Sequence, residues 1–213
     1  MKAGNVIDLF SDAVGDPERQ TWSKDDALMY LNQAILWCSM LRPESTVVMS
    51  ILDLVAGTKQ TLPADCLQLI TCYRNVNADG LPVGTSIRLI DRMALDDVQS
   101  AWHYATPDKN VYEYFFDDRM PNFFWTNPLL TGARIEIAYS RSPARLDCCD
   151  DDLPVLDSYV EAILEQMLYR ALTRDSRLTD LGQKGFRHLA NAFQFLGLKY
   201  KGEQEASPTH KGA

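Results

Sequence analysis

Apolar positions step through the chain with two different periods. Ser23-Lys24-Asp25-Asp26 has the form of a capping box, with Ser23 as N-cap and Asp26 three residues on. Behind it Leu28, Leu31, Ile35 and Cys38 recur by three, four and three residues. That spacing predicts an amphipathic helix over 23–41, stopped by Pro43. Tyr30 and Trp37 lie off the stripe and offer a second contact face.

The period then changes. Residues 46–55 (TVVMSILDLV) are rich in Val, Ile and Leu and end at Gly57-Thr58. Strands are expected at 59–62, 66–76, 85–91, 111–117, 122–126 and 133–139, with a short helix from Ala94 to Trp102. Pro63, Asn77-Ala78-Asp79-Gly80, Pro121, Asn127-Pro128 and Thr131-Gly132 read as the turns between them. Short strands at this spacing predict an antiparallel sheet or small barrel occupying 46–141.

After Pro154 the helical period returns. Tyr159/Val160, Ile163/Leu164, Met167/Leu168 and Ala171/Leu172 make a broad apolar face on a helix over 157–174. Phe186, Leu189, Phe193 and Leu196 then mark a last helix over 180–201. Residues 1–20 carry Gly15, Pro17 and three aspartates, and read as a polar arm that orders only on a partner. Residues 202–213 read as a polar tail. The expected class is α+β: a helical bundle of one N-terminal and two C-terminal helices with an inserted antiparallel β-rich lobe.

Composition sharpens this outline. With 213 residues, 46% hydrophobic and 23% charged, the chain is an ordinary globular one. Its formal net charge is −8, and its isoelectric point is about 4.8. A free-standing DNA reader needs a basic face, so nucleic-acid recognition is disfavoured. Five of the excess negative charges sit in 147–157, on Asp147, Asp150, Asp151, Asp152 and Asp157. No apolar run approaches the ~18 residues of a membrane span. Asp8, Asp12 and Asp16 interrupt any secretory signal. Cys38, Cys66, Cys72, Cys148 and Cys149 are odd in number and lack C-x-x-C spacing, which reads as reduced thiols of a cytosolic setting.

Catalytic signatures are absent: there is no G-x-G-x-x-G, phosphate-binding loop, G-x-S-x-G or H-E-x-x-H. His103, His188 and His210 are not paired by spacing with any nucleophile. Cys148-Cys149-Asp150-Asp151-Asp152 carries metal-ligand chemistry but not the spaced pairs of a zinc site or the alternation of a calcium loop. It reads as a solvated acidic linker before a helix that Asp157 caps. Tyr112, Tyr114, Phe115, Phe116, Phe123, Phe124 and Trp125 could stack bases, yet Arg119 is their one basic neighbour, beside Asp117 and Asp118. Core and protein interface is the better reading of that cluster. No cofactor or metal is expected.

Taken in order, the motifs resemble the head-to-tail adaptor (connector) proteins of tailed bacteriophages. The pieces are Leu31-Asn32-Gln33-Ala34; Gly57-Thr58-Lys59-Gln60-Thr61-Leu62-Pro63; Tyr73-Arg74-Asn75; Ile90-Asp91-Arg92 with Leu95 and Trp102; Phe116-Asp117 to Phe123-Phe124; Ile135-Glu136-Ile137 to Tyr139-Ser140; and Leu168-Tyr169-Arg170-Ala171. The resemblance covers about residues 22–200, whereas Cys148-Cys149, Gly182 and Gly185 depart from the family's pattern.

The resemblance implies a non-enzymatic virion protein, assembled in the bacterial host cytoplasm. It implies a ring of about twelve copies between portal and tail, extending the channel for genomic DNA that passes without sequence-specific binding. Contacts between subunits are then expected at Tyr30, Trp37, Tyr159, Ile163 and Met167. Contact with the portal protein is expected at Lys199, Lys201, Pro208 and Lys211. Asp147, Asp150, Asp151 and Asp152 are expected to face the channel or a partner, with tail or nozzle proteins binding below. The competing readings are a tail-completion or terminator protein at another junction and, distantly, a carboxylate-dependent hydrolase.

Overall fold

In chain order the helices of the computed structural model are α1 (Ala3–Ala13), α2 (Lys24–Leu41), α3 (Arg92–Val98), α4 (Val160–Arg174) and α5 (Thr179–Phe195). The strands are β1 (Val47–Leu54), β2 (Gly57–Thr61), β3 (Cys66–Val76), β4 (Pro82–Ser86), β5 (Arg88–Leu89), β6 (Glu113–Phe116), β7 (Phe123–Leu130) and β8 (Ala133–Arg141). The structure describes residues 1–199 except 118 and 175–178, and the side chains of 179–182 are left aside. The class is α+β. Two compact units divide the chain: Met1–Ser45 with Pro143–Ala213, and Thr46–Ser142.

In the first unit, α4 packs against α1, α2 and α5. The opening segment differs from expectation: residues 1–20 are not a free arm. Ala3, Val6, Ile7 and Phe10 of α1 are fully buried, and Asp8 and Asp12 occupy its exposed side. Phe10 packs edge-on to Trp22 at 6.5 Å and against Tyr30 at 6.2 Å. Burial of four apolar side chains offsets the ordering entropy that a polar arm could not. Gly15, at φ 73°, ends the helix. Beyond it the Asp16 carboxylate accepts hydrogen bonds from the backbone of Gln20, Thr21 and Trp22 at 2.8–3.0 Å, turning the chain into α2.

The Ser23 cap forms as its spacing predicts, accepting from the Asp26 amide at 3.1 Å while its hydroxyl donates to the Asp26 carboxylate at 2.9 Å. The last helix ends at Phe195, short of the expected 201. Gly197, at φ 68°, closes it, and Gly197 and Leu198 amides return to the carbonyls of Gln194 and Phe193. Gly185 also has a role: a Cβ there would meet Thr173 Cγ2 at 2.8 Å, so the glycine permits the close approach of α5 to α4.

The second unit holds two four-stranded sheets, ordered β1-β8-β3-β4 and β2-β7-β6-β5. All pairs are antiparallel except β5 with β6. Leu54, Leu69, Cys72, Ile135, Ile137 and Tyr139 of the first sheet share a core with Tyr114, Phe124 and Leu130 of the second. A smaller cluster of Leu95, Trp102 and Phe115, joined by Ile90 and Trp125, lies under α3 and the turn after it.

One strand and one turn read from the sequence change. The strand expected over 85–91 splits at buried Ile87, where the chain leaves the first sheet as β4 and enters the second as β5. Asn127-Pro128 is not a turn but lies inside β7, with a cis peptide. Pro128 falls beyond the last β6 pair, Glu113 with Asn127, and within the irregular stretch of the β2 pairing, so its missing N–H costs no ladder bond.

Three side-chain amides hold the connecting segments, each binding both the N–H and the C=O of one residue. Asn32 grips Leu146 at 2.8 and 3.0 Å. Gln60 grips Val55 at 2.9 Å twice, and Gly57 as well at 3.1 Å. Asn75 grips Val111 at 2.8 Å twice. Gln60 and Asn75 are each 1% exposed, and Val111 is fully buried, so the Asn75 clamp has no water as a substitute on either side.

Two substitutions test this account. Phe10→Ala is expected to lower unfolding free energy by about 3–5 kcal/mol in urea titration, whereas an unchanged midpoint would restore residues 1–20 to an arm. Asn75→Ala is expected to cost about 2–4 kcal/mol, because it strands a buried N–H and C=O together. Asn75→Asp, which keeps only the acceptor, should not restore the wild-type midpoint.

Candidate functional site

The acidic loop is built rather than loose. The Asp151 carboxylate accepts from the amides of Asp147 and Cys148 at 2.8 and 2.9 Å, and the Cys148 thiol donates to it at 3.3 Å. The backbone bonds from Cys148 and Asp147 hold its pKa below the usual carboxylate value. The loop's carbonyls in turn cap α1: Asp151 O accepts from Ala3 at 2.9 Å and Cys149 O from Gly4 at 2.8 Å. A Cβ on Gly4 would sit 3.1 Å from Cys149 O, so the contact calls for the smallest residue.

Counter-charges temper the loop's acidity. Lys2 pairs with Asp152 at 2.9 Å, and the Met1 amine pairs with Asp157 at 2.9 Å. Asp157 does not cap the following helix as expected; it opens a 3₁₀ turn over Asp157–Tyr159 and makes no side-chain cap bond. Asp147, Asp150 and Asp152 are exposed. Among the described residues, no group of three His, Cys, Asp or Glu side chains is placed to hold a metal ion.

The other thiols are packing groups. Burial pushes Cys38 and Cys66 up to about 11 and Cys72 higher still. His103 lies against Trp102, with ring centroids 3.5 Å apart. His188 Nδ1 meets Glu165 at 2.8 Å across α5 and α4. His210 lies outside the described residues.

Most residues expected to touch a neighbouring subunit are spent inside the protomer. Ile163 and Met167 are 0% exposed and Tyr30 is 4% exposed. Ile163 and Met167 have no accessible surface to offer a second copy and Tyr30 almost none, so within the protomer these three are core residues. Trp37 is half-buried, edge-on to Phe193 at 5.4 Å, and Tyr159 is half-buried. Lys199 is exposed, while Lys201, Pro208 and Lys211 lie outside the described residues.

Exposed apolar surface lies elsewhere. The outer row of β1 presents Val47, Met49 and Ile51, with Tyr73, Leu81 and Val83 exposed on β3, β4 and the turn between. β1 is also a free edge, eight residues long and without proline. In the first unit, Met29, Leu36 and Met40 line the outer side of α2. The signal for β1 was present in the sequence: TVVMSILDLV is apolar at both parities, as a strand covered on both faces is.

Residues 1–211 match the family model described as SU10 adaptor protein. The chain belongs to the SU10 adaptor protein family. No curated protein matches it. The family is one of phage structural adaptors, so the adaptor is a virion component. No helix among the described residues is long and apolar enough to cross a membrane. In this adaptor Asn32, Gln60 and Asn75, which lie in the motifs that carried the resemblance, serve as backbone clamps.

The Asp151 staple gives the adaptor an acid-sensitive element. A carboxylate with a lowered folded pKa stabilises above its unfolded value, about 3.9, and that stabilisation is lost as pH falls through the lower folded value. Asp151→Asn is therefore expected to reduce the thermal midpoint at pH 7. The gap to wild type should close as the pH falls below the ordinary carboxylate value and through the lower folded one. A gap independent of pH would remove the charge of Asp151 from the explanation.

Proposed function

We propose that the protein forms the ring between portal and tail, with twelve copies extending the DNA channel and offering the tail its attachment surface. The family match over residues 1–211 carries this reading. The exposed apolar rows support it physically. Single exposed apolar residues are ordinary, but Val47, Met49 and Ile51 align on one free edge strand, a surface that monomeric proteins avoid leaving open. In a closed ring each copy uses two different surfaces, and this row serves as one of them.

The acidic loop suits proximity to DNA without grip. Asp147, Asp150 and Asp152 repel phosphates wherever they face the duplex, and the chain's net charge of −8 multiplies with copy number. The segment beyond Phe195, with Lys199, Lys201, Pro208 and Lys211, is the proposed portal contact.

Mixing the purified protein with its portal and counting the ring's symmetry by electron microscopy tests the proposal. A ring seated on the portal is expected for wild type. A Met49→Asp, Ile51→Asp double variant should remain monomeric with an unchanged unfolding midpoint, since both side chains are exposed. Wild-type protein that stays monomeric with portal present would sink the adaptor-ring reading. Binding to tail-tube ends instead would favour the terminator role.

A further inference from the structure

One groove in the second unit is unexplained by packing or by ring assembly. It encloses about 510 Å³ between the start of α3, the turn at Trp102 and His103, and strands β6 and β7. That volume lies within the about 300–1,000 Å³ of small-molecule sites. Its wall is aromatic and rigid. Phe115 and Trp125 stack at 5.3 Å with planes 6° apart, and Trp102 stands edge-on to Phe115 at 5.4 Å. Trp102 is 1% exposed, and its indole N–H is already used on Asp96 Oδ1 at 2.9 Å.

The rim is polar and largely unspent. Asp91, Asp117, Arg119 and His103 line the groove with Trp125. Asp91 Oδ1 accepts from Met93 and Ala94, and Asp117 Oδ1 accepts from the Arg119 amide. The second oxygen of each carboxylate, the Arg119 guanidinium, the His103 ring nitrogens and the Trp125 indole N–H have no hydrogen-bond partner among the described residues.

The balance of charge selects the ligand. The open groups are of both signs, Asp91 and Asp117 against Arg119, while Arg92 is paired with Asp96 at 3.5 Å; an anion would meet the two carboxylates and a cation the Arg119 guanidinium. An uncharged polyol uses both signs, taking N–H donors and carboxylate acceptors on adjacent hydroxyls. A pyranose ring also has an apolar C–H face that matches an indole. We infer that this groove binds a neutral saccharide of one or two sugar units, its ring against Trp125 and its hydroxyls between Asp91, Asp117 and Arg119. The site is independent of the ring proposal, because every one of its residues belongs to one unit of one copy.

Titration of the full chain, followed through its indole N–H resonances, tests this. The probes are glucose, galactose, N-acetylglucosamine, maltose and lactose, with inorganic phosphate and a proline-rich peptide as separate arms. A saturable shift of the Trp125 resonance is expected with at least one sugar. Arg119→Ala and Asp117→Ala should each weaken it about tenfold, or about 1.4 kcal/mol, and Arg119→Ala, whose guanidinium makes no bond among the described residues, should leave the unfolding midpoint unchanged. No saturable shift up to about 50 mM of any sugar, well past a millimolar Kd, overturns the inference. So does undiminished affinity in both variants, or saturation by phosphate or peptide alone.

Discussion

The connecting segments of this fold hang on side chains that imitate backbone. Asn32, Gln60 and Asn75 each present a carbonyl and an amide to the N–H and C=O of a single residue, as a neighbouring strand would. Leu146, Val55 and Val111 lie in segments with no strand partner there, and at buried Leu146 and Val111 an unpaired peptide group is expensive. The clamp replaces the missing ladder at two hydrogen bonds per side chain. It also fixes position: Asn75 sets where the chain enters β6, and Gln60 closes the turn between β1 and β2. Only an amide of the right length does this, since a carboxylate lacks the donor and an aliphatic chain lacks both.

The same economy governs the acidic loop. Its backbone carbonyls cap α1, and its Asp151 side chain folds the loop that presents them. Once docked, α1 fills the core beside Tyr30, which is why Tyr30 became an interior residue rather than a surface for a neighbour. One structural decision at the loop thus changes the role of a residue on another helix. The acid there is not all alike, because Asp151 is spent on geometry while Asp147 and Asp150 remain exposed.

How much of this was legible depended on whether local pattern and tertiary context agreed. The Ser23 cap, the α2 stripe and β3 over Cys66–Val76 follow directly from capping chemistry and period. Helix α1 was also written in the sequence, as Ala3, Val6, Ile7 and Phe10 at helical spacing, but Asp8, Asp12 and Asp16 masked it. Aspartates lower intrinsic helix propensity, and burial of the opposite face overrides them. Pro128 misled for the converse reason: proline usually ends a strand, and only the pairing register shows that its N–H was not needed. The saccharide groove was invisible because Asp91, His103, Asp117 and Trp125 come from four separate segments, and no spacing rule joins them.

The outer face of β1 is unusually apolar. A strand whose inner row is Val48, Leu52 and Leu54 needs polar outer neighbours if water is to cover the other side. Instead the outer row is Val47, Met49 and Ile51, and its charge, on Asp53, is tied to Arg134. The adjoining pair, Arg74 with Glu136 at 2.7 Å, likewise satisfies itself. The face therefore carries no net charge to steer a charged partner and no unpaired ion to resist burial. Covering this face would take the apolar row Val47, Met49 and Ile51 out of water, against the desolvation of two ion pairs that already satisfy each other.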